Sequence, residues 1–224
     1  MDLLGKGVYP LNQAARLLHA DVASVRRWMT GYTRKGRVYA PLWRPELESA
    51  DLTCPSISFR DLLELRMVAA FAKHGVSVAV IRATIDSARE HFSADFPLST
   101  KRFLTDGKTI FLEAVDAAEP PMVDVARRQF VFSTIIRPSL LDSVEFDGAS
   151  PRRWFPLGPR KRHVLLDPAV QFGAPIVSGA GIPTDTLAAA YWAQNKDSRA
   201  VGRIFDVDPK LVMAAVKFEQ QLTA

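Results

Sequence analysis

Basic side chains are concentrated near the start of this 224-residue chain, and their types suit contact with phosphate groups and base edges. Residues 1–44 contain eight Lys and Arg residues against two acidic ones, a formal net charge of +6. Arginine presents a planar fork of donors that matches phosphate oxygens and guanine edges, and a serine hydroxyl can reach a phosphate. The candidate contacts to such an anionic partner are Ser24, Arg26, Arg27, Tyr32, Arg34, Lys35 and Arg37.

A second basic cluster lies within residues 151–162, where basic and aromatic side chains are interleaved. Three prolines and one glycine in this stretch predict a linker. Aromatic anchors flanked by arginines suit a protein surface that carries a cluster of carboxylates. The candidate contacts to such a partner are Arg152, Arg153, Trp154, Phe155 and Arg160. A solvated linker without a partner is the alternative.

Two short helices and a hairpin must position the N-terminal candidates. Leu11 to Leu18 has apolar residues at helical spacing and predicts the first helix. The second is predicted from Val22 to Thr30, with Asp21 as its N-cap. Strand formers interrupted by a glycine and a proline predict a two-stranded wing between Gly31 and Arg44. Two helices joined by so short a turn form a helix-turn-helix.

The second predicted helix has an apolar face that limits where its arginines can point. That face consists of Val22, Val25 and Met29. At least one of Arg26 and Arg27 must therefore lie in solvent. Trp28 is expected to pack between the helices and not to contact the partner.

Two further helices complete the N-terminal part of the chain. Ser58 is a predicted N-cap with Asp61 in the first turn, and Gly75 is predicted to end that helix. Ser77 is predicted to cap the next helix, which ends near Phe92.

These N-terminal motifs resemble the DNA-binding head of MerR-family regulators. The matching residues are Tyr9 to Leu18, Val25 to Trp28, Ser58 to Arg66, Gly75 to Ser77, and Ile81 with Arg82. The resemblance implies a winged helix-turn-helix over residues 1–92 that binds double-stranded DNA. In that family the second helix enters the major groove and the wing contacts the flanking phosphates. MerR regulators usually continue into a long dimerising helix, whereas a strand-rich segment is predicted here.

Residues 93–162 are predicted to be rich in β-structure. Phe103 to Leu112 has the signature of a hairpin, with Asp106 and Gly107 at the turn. Gln129 to Ile136 is rich in strand formers, and Val144 to Phe146 predicts a further short strand.

Residues 163–224 are predicted to form a compact unit of one strand, a loop and three helices. The strand covers His163 to Leu166, and the loop runs from Pro168 to Pro183. Thr184 and Ser198 are predicted N-caps, and the pair Asp208-Pro209 is predicted to begin the last helix.

The loop of this unit resembles a small C-terminal domain found in bacterial antitoxins of the VapB type. The matching residues are Leu166 to Pro168, Phe172 to Val177, Gly179, and Gly181 to Pro183. The resemblance implies an antitoxin that represses its own promoter and neutralises a PIN-like ribonuclease toxin, as a dimer or higher oligomer. Since such a nuclease site is a cluster of carboxylates, the basic cluster at residues 151–162 is the predicted toxin contact. Dimerisation is predicted through Leu187, Tyr191, Trp192, Ile204, Phe205, Val212 and Phe218, some of which must also form the core of the unit. The alternative role of the helices between Ser198 and Leu222 is a second DNA-reading unit.

The predicted fold class is α+β, with a winged helix-turn-helix head, a β-rich middle and a three-helix C-terminal unit. Four scattered histidines and the single Cys54 form no metal-ligand or catalytic pattern, so neither a cofactor nor an enzyme is predicted. The lack of a signal peptide and of any apolar stretch of about 18 residues predicts a cytoplasmic protein away from the membrane. The alternatives are a MerR-like regulator without a toxin and a scaffold that does not bind DNA.

Overall fold

The structure is a computed structural model that describes residues 3–47, 52, 54–118, 132–133 and 142–223. Helices predominate in these residues, and the strands form small two-stranded antiparallel sheets. This mixture agrees with the predicted α+β class. No helix in the described ranges has the length and apolar character needed to cross a membrane.

The two short helices and the two-stranded hairpin predicted near the N-terminus are present as secondary-structure elements. The N-terminal elements are β1 (Tyr9–Pro10), α1 (Leu11–Leu17), α2 (Val22–Thr30), β2 (Tyr32–Arg34), β3 (Arg37–Tyr39) and β4 (Ser56–Ile57). Strand β1 pairs with β4, and β2 pairs with β3. Strand β4 directly precedes the helix that begins at Phe59, so the β1–β4 pair places α1 beside the start of that helix. The buried residues of α1 and α2 are part of the main hydrophobic core.

Helices α3 (Phe59–Lys73) and α4 (Val78–Phe92) begin and end as predicted. Ser58 and Asp61 form a capping box, in which each side chain accepts a hydrogen bond from the backbone N–H of the other residue. Gly75 follows the C-cap of α3 with a φ of +80°, a conformation that suits glycine. Ser77 accepts a hydrogen bond from the Val80 N–H and caps α4.

The hairpin predicted over Phe103 to Leu112 is wrong, because this segment lies within an 18-residue helix, α5 (Lys101–Ala118). Its buried residues recur at helical spacing and pack against α4; they are Phe103, Ile110, Phe111, Ala114 and Val115. Gly107 lies inside the helix, where a Cβ would come within 2.6 Å of the Phe103 ring. Burial of this apolar face outweighs the local turn preference of the Asp-Gly pair.

The strand predicted over Gln129 to Ile136 lies mostly outside the described residues. The two described positions, Phe132 and Ser133, have helical backbone. Phe132 is buried and packs against the rings of Phe71, Phe103 and Phe111, with centroids 5.6 to 6.4 Å away. Its contribution to the structure is a core contact between helices.

The interpretation of residues 151–162 as a linker is wrong in its first part. Strand β5 (Val144–Asp147), which agrees with the short strand predicted there, pairs with β6 (Ser150–Trp154) as a hairpin. Trp154 continues the pairing to Leu166 through two backbone hydrogen bonds of 3.0 and 2.8 Å. Of the three prolines, only Pro151 lies in the hairpin, near the start of β6, where a proline is tolerated.

The C-terminal unit begins with β7 (Val164–Leu165), which pairs with β8 (Ile176–Val177) across a loop that contains a short 3-10 helix, Gln171–Gly173. Helices α6 (Thr184–Ala193), α7 (Ser198–Phe205) and α8 (Pro209–Thr223) follow. The last of them begins at the predicted Asp-Pro pair.

Two predicted N-caps of this unit are displaced by one residue. Pro183 occupies the N-cap of α6, and the Thr184 hydroxyl donates to the Glu219 carboxylate of α8. Asp197 caps α7 by accepting hydrogen bonds from the next turn, so Ser198 is the first residue of the helix. In both cases the N-cap is the residue immediately before the predicted one, and its backbone has the non-helical conformation of an N-cap.

The large hydrophobic core is shared between the two ends of the chain. It extends from Tyr9 through α3, α4 and α5 to Trp154, Leu166 and Phe218. The C-terminal unit also has a small core of its own, formed by Val177, Leu187, Val201, Val212 and Ala215. The sequence pattern changes at residue 163, but no gap in packing occurs there. Side chains from both sides of this position belong to the same hydrophobic core.

Candidate nucleic-acid interface

Helix α2 presents both of its central arginines to solvent. Val25 and Met29 are buried, and Arg26 and Arg27 are exposed on the other face. Val22, which was predicted to be buried, is the first residue of α2 and is 41% exposed. Trp28 is half-buried and packs against the main core, as predicted.

Asp21, Ser24 and Arg27 form a polar network at the start of α2. The Asp21 carboxylate accepts hydrogen bonds from the Ser24 N–H at 2.8 Å and from the Ser24 hydroxyl at 2.9 Å. The Arg27 guanidinium donates to Ser24 Oγ at 2.8 Å and lies 3.9 Å from the carboxylate. The hydrogen bonds from Ser24 hold the pKa of Asp21 below its usual value. Ser24 and Arg27 thus hold each other in place at the protein surface.

The hairpin of β2 and β3 carries the other basic candidates, and all of them are exposed. Arg34 pairs with Arg37 across the hairpin, and the turn between them has positive φ at Lys35 (+49°) and at the following glycine (+74°). The rings of Tyr32 and Tyr39 stack at 4.6 Å, and the Arg37 guanidinium lies 5.7 Å from the Tyr39 ring centroid. The hairpin therefore groups three cations around a rigid pair of aromatic rings.

The hairpin has a fixed position relative to α2. Gly31 joins the two with φ +70° and ψ −176°, a region that only glycine adopts readily, and a Cβ there would collide with the Tyr39 carbonyl oxygen. At the other end, the Leu42 N–H donates to the Trp28 carbonyl at 2.8 Å. Both ends of the wing are tied to the same helix.

Arg82 of α4 anchors the wing from the far side, a role that the sequence did not predict. Its guanidinium donates to the carbonyl oxygens of Ala40 at 2.7 Å and Pro41 at 2.9 Å. The bond spans about 40 residues of sequence, and the only available signal was the place of Arg82 within the motif of the N-terminal resemblance.

Asp61 connects the segment after the wing to α3. Its buried carboxylate accepts hydrogen bonds from the Trp43 indole N–H at 2.7 Å and from the Glu46 N–H at 3.1 Å, in addition to its cap contacts with Ser58. Burial raises the pKa of Asp61, and these hydrogen bonds oppose that effect. Trp43, predicted as a wing residue, thereby fastens the wing to the core.

The second basic cluster is not an exposed arm. Trp154 and Phe155 are each 4% exposed and lie in the core. Arg153 donates to Asp167 at 2.7 Å, and Arg162 donates to Glu145 at 2.9 Å. Of the predicted contacts in this cluster, Arg152 and Arg160 are the exposed ones.

The residues predicted to mediate dimerisation also fall into a buried group and an exposed group. Leu187, Val212 and Phe218 are buried within the chain itself, whereas Trp192 and Ile204 are 48% and 61% exposed. The remaining two, Tyr191 and Phe205, are half-buried against the small C-terminal core.

No cluster of His, Cys, Asp and Glu in the described part of the chain could hold a metal ion. Cys54 is exposed and is not in a disulfide.

Comparison with known proteins gives a fold and one distant relative. The structure is similar to the crystal structure of Rv2018 from Mycobacterium tuberculosis, with a TM-score of 0.64 and 18% identity over 93% of this chain and 96% of that chain. The sequence is 26% identical over 102 residues to the uncharacterized protein Rv2308 of Mycobacterium tuberculosis (strain ATCC 25618 / H37Rv). These 102 residues are 45% of this chain and 41% of that protein. No family model matches the chain, so what the comparisons establish is a fold shared with Rv2018.

Proposed function

We propose that this chain is a DNA-binding antitoxin of a type II toxin–antitoxin pair, which represses its own promoter and neutralises a PIN-like ribonuclease. The observation that carries the DNA-binding part is the shared placement of the exposed cations. Arg26 and Arg27 on α2 and Arg34, Lys35 and Arg37 on the wing belong to two elements that are fixed to each other.

The arrangement supports different roles for the two elements. An exposed helix with successive arginines fits the major groove, where Arg26 would reach base edges. Ser24 and Arg27, held together near the helix N-terminus, would contact the phosphate backbone. The wing cations would neutralise phosphates beside the groove and make binding strongly dependent on salt.

Binding of the purified protein to its own upstream DNA tests this proposal, measured by fluorescence anisotropy across a series of salt concentrations. We expect Arg26→Ala to weaken specific binding by about 1–3 kcal/mol and to relax base preference, whereas Arg34→Ala should reduce the salt slope by about 1. Lys108→Ala, on an exposed position of α5, is the matched control and should leave both quantities unchanged. Absence of salt-dependent binding, or equal affinities of all four proteins, would contradict the proposal.

Toxin neutralisation rests on the C-terminal resemblance and on the exposed members of the second basic cluster. Arg152 and Arg160 would meet the acidic nuclease, whereas Trp154 and Phe155 are held in the core and Arg153 is paired with Asp167. The test is co-purification with the nuclease encoded by a neighbouring reading frame, followed by an assay of RNA cleavage. Arg152→Glu with Arg160→Glu should release active nuclease, and Arg203→Glu on α7 is the control. Full inhibition by the double variant would overturn the assignment of these contacts.

One observation favours the alternative of a MerR-like regulator without a toxin. A cavity of about 770 Å³ borders the start of α2, where a small molecule could influence the DNA-contacting helix. Failure to find a nuclease partner, combined with specific DNA binding, would support this alternative.

A further inference from the structure

The cavity beside α2 is lined by four separate parts of the chain and opens to solvent. Its walls come from the turn between α1 and α2 with the adjoining part of α2, from α3, from the end of β6 with the residues that follow it, and from the end of α8. Its volume of about 770 Å³ lies in the range of about 300–1,000 Å³ that is usual for small-molecule sites. Lining residues include Leu18, Trp28, Arg66, Ala69, Trp154 and Phe218.

Two of these lining residues have buried N–H groups without an acceptor in the described part of the chain. They are Nη1 of Arg66 and Nε1 of Trp154. The two side chains are in contact, with the guanidinium 5.1 Å from the indole centroid. Buried donors almost always have a partner, because an unpaired one has lost its hydrogen bonds to water. Two such donors in one cavity wall indicate a missing acceptor.

Arg66 is a half-buried cation with a fully buried Nη1, and its charge is not balanced within the described residues. Its other terminal nitrogen, Nη2, donates to the Ser143 hydroxyl at 2.8 Å, which is a neutral partner. Burial lowers the pKa of Arg66 to about 10, so the guanidinium still carries its charge at neutral pH. An unpaired charge away from water is costly, and an anion beside it would offset that cost.

The rest of the wall favours an anion attached to an apolar body. Lys73, His19 and His74 add donors at one side of the cavity, and the acid that lines it, Asp21, is engaged by Ser24 and Arg27. The remaining lining residues are mainly leucine, alanine and aromatic side chains. Such a wall accepts an apolar group at no cost in hydrogen bonds.

We propose that this cavity binds a small organic anion, a carboxylate or phosphate joined to an apolar group, with Arg66 and Trp154 as its donors. The proposal goes beyond DNA and toxin binding and depends on neither, because ligand binding is measured on the protein alone. Because α2 and the end of α8 both line the cavity, a ligand there would lie between these two helices.

The test uses three compounds of nearly equal size on the full chain without DNA. Phenylacetate and phenyl phosphate carry the anion, and phenylacetamide is the neutral counterpart. Titration calorimetry and the melting temperature report binding, and Trp28 and Trp154 in the wall provide a fluorescence signal. We expect saturable binding of at least one anion and at least about tenfold weaker binding of the amide. The better of the two anions identifies the ligand class.

Two variants locate the binding. Arg66→Met keeps an apolar stem of similar length and should weaken the preferred anion by at least about tenfold. Arg60→Met changes an exposed arginine of the same helix that does not line the cavity, and should bind as the unmodified chain does. Ala69→Phe fills the cavity without removing a charge and should abolish binding. Circular dichroism checks that each variant is folded.

Three results would overturn the proposal. The first is the absence of saturable binding of either anion up to about 10 mM. The second is equal affinity for the anion and the amide. The third is binding that is retained in both Arg66→Met and Ala69→Phe. These measurements use the protein without DNA, so a failure of the proposed DNA binding would leave their interpretation unchanged.

Discussion

The hydroxyl of Tyr9 donates a hydrogen bond of 2.8 Å to the carbonyl oxygen of Gly173, a residue 164 positions further along the chain. The neighbouring Val8 N–H donates to the Phe172 carbonyl at 2.9 Å. Strand β1 is therefore fastened to the loop that precedes β8, and the N-terminal head is held to the C-terminal unit. Burial raises the pKa of Tyr9, so its hydroxyl is protonated and can donate at neutral pH.

This contact predicts a stability difference between two Tyr→Phe variants. Tyr9→Phe leaves the buried Gly173 carbonyl without its donor, and we expect the free energy of unfolding to fall by about 1–3 kcal/mol. Tyr32→Phe alters an exposed ring of the wing and should change stability by less than about 0.5 kcal/mol. Urea unfolding followed by circular dichroism measures both. Equal stabilities would mean that the Tyr9 hydrogen bond does not hold the two ends together.

Gly31 predicts an asymmetry between the two glycines of the wing. Gly31→Ala should destabilise the protein by at least about 1 kcal/mol more than Gly36→Ala, because both positions have positive φ but a Cβ collides with the Tyr39 carbonyl only at Gly31. Gly36 has open space around it. Thermal unfolding of the two variants measures the difference. Similar melting temperatures would contradict the rigid attachment of the wing to α2.

The parts of the fold that follow from local sequence were predictable. Helices α1 and α2, the wing and the capping box at Ser58 depend on residues within a few positions of one another. Helix α5 was not predictable in this way, because the turn preference of Asp106-Gly107 is local. The apolar surface of α4 that outweighs it lies elsewhere in the chain.

The same reasoning applies to the candidate sites. Arg26 and the wing cations are exposed as their pattern indicates, whereas the burial of Trp154 depends on Leu166 and Arg66, which the basic and proline-rich pattern of residues 151–162 does not reveal. The cavity wall draws its residues from four distant segments. No spacing rule in a single sequence brings such residues together.

Arg82 predicts a local effect on the wing. Arg82→Met removes both donors to the carbonyls of Ala40 and Pro41, so we expect faster amide hydrogen exchange across β2 and β3 with little change in global unfolding. Arg89→Met is the matched control, since Arg89 also donates to a backbone carbonyl from α4, that of Asp95 at 3.2 Å. Exchange measured by mass spectrometry should leave the wing unaffected in that variant. Unchanged exchange in Arg82→Met would show that the wing does not depend on this anchor.

Glu64 predicts a pH dependence of stability. Its buried carboxylate accepts hydrogen bonds from the Leu98 and Ser99 N–H groups, at 3.2 and 2.8 Å, and holds the segment before α5. Burial raises its pKa from 4.5 to about 7, and these hydrogen bonds oppose the shift. Between these two pH values the folded protein holds the proton more tightly than the unfolded chain. The contribution of Glu64 to stability is therefore greatest below pH 4.5 and is lost as the pH rises to about 7.

Glu64→Gln isolates this contribution, because the amide has nearly the same shape and does not titrate. The decrease in unfolding free energy of the unmodified chain from pH 4.5 to 7 should exceed that of the variant by up to about 3 kcal/mol. Urea unfolding at half-unit steps of pH measures the two slopes. Glu90→Gln, at an exposed position of α4, should keep the slope of the unmodified chain. Parallel slopes for the unmodified chain and Glu64→Gln would mean that Glu64 does not titrate in this range, and that the segment before α5 is held by an ionised carboxylate throughout.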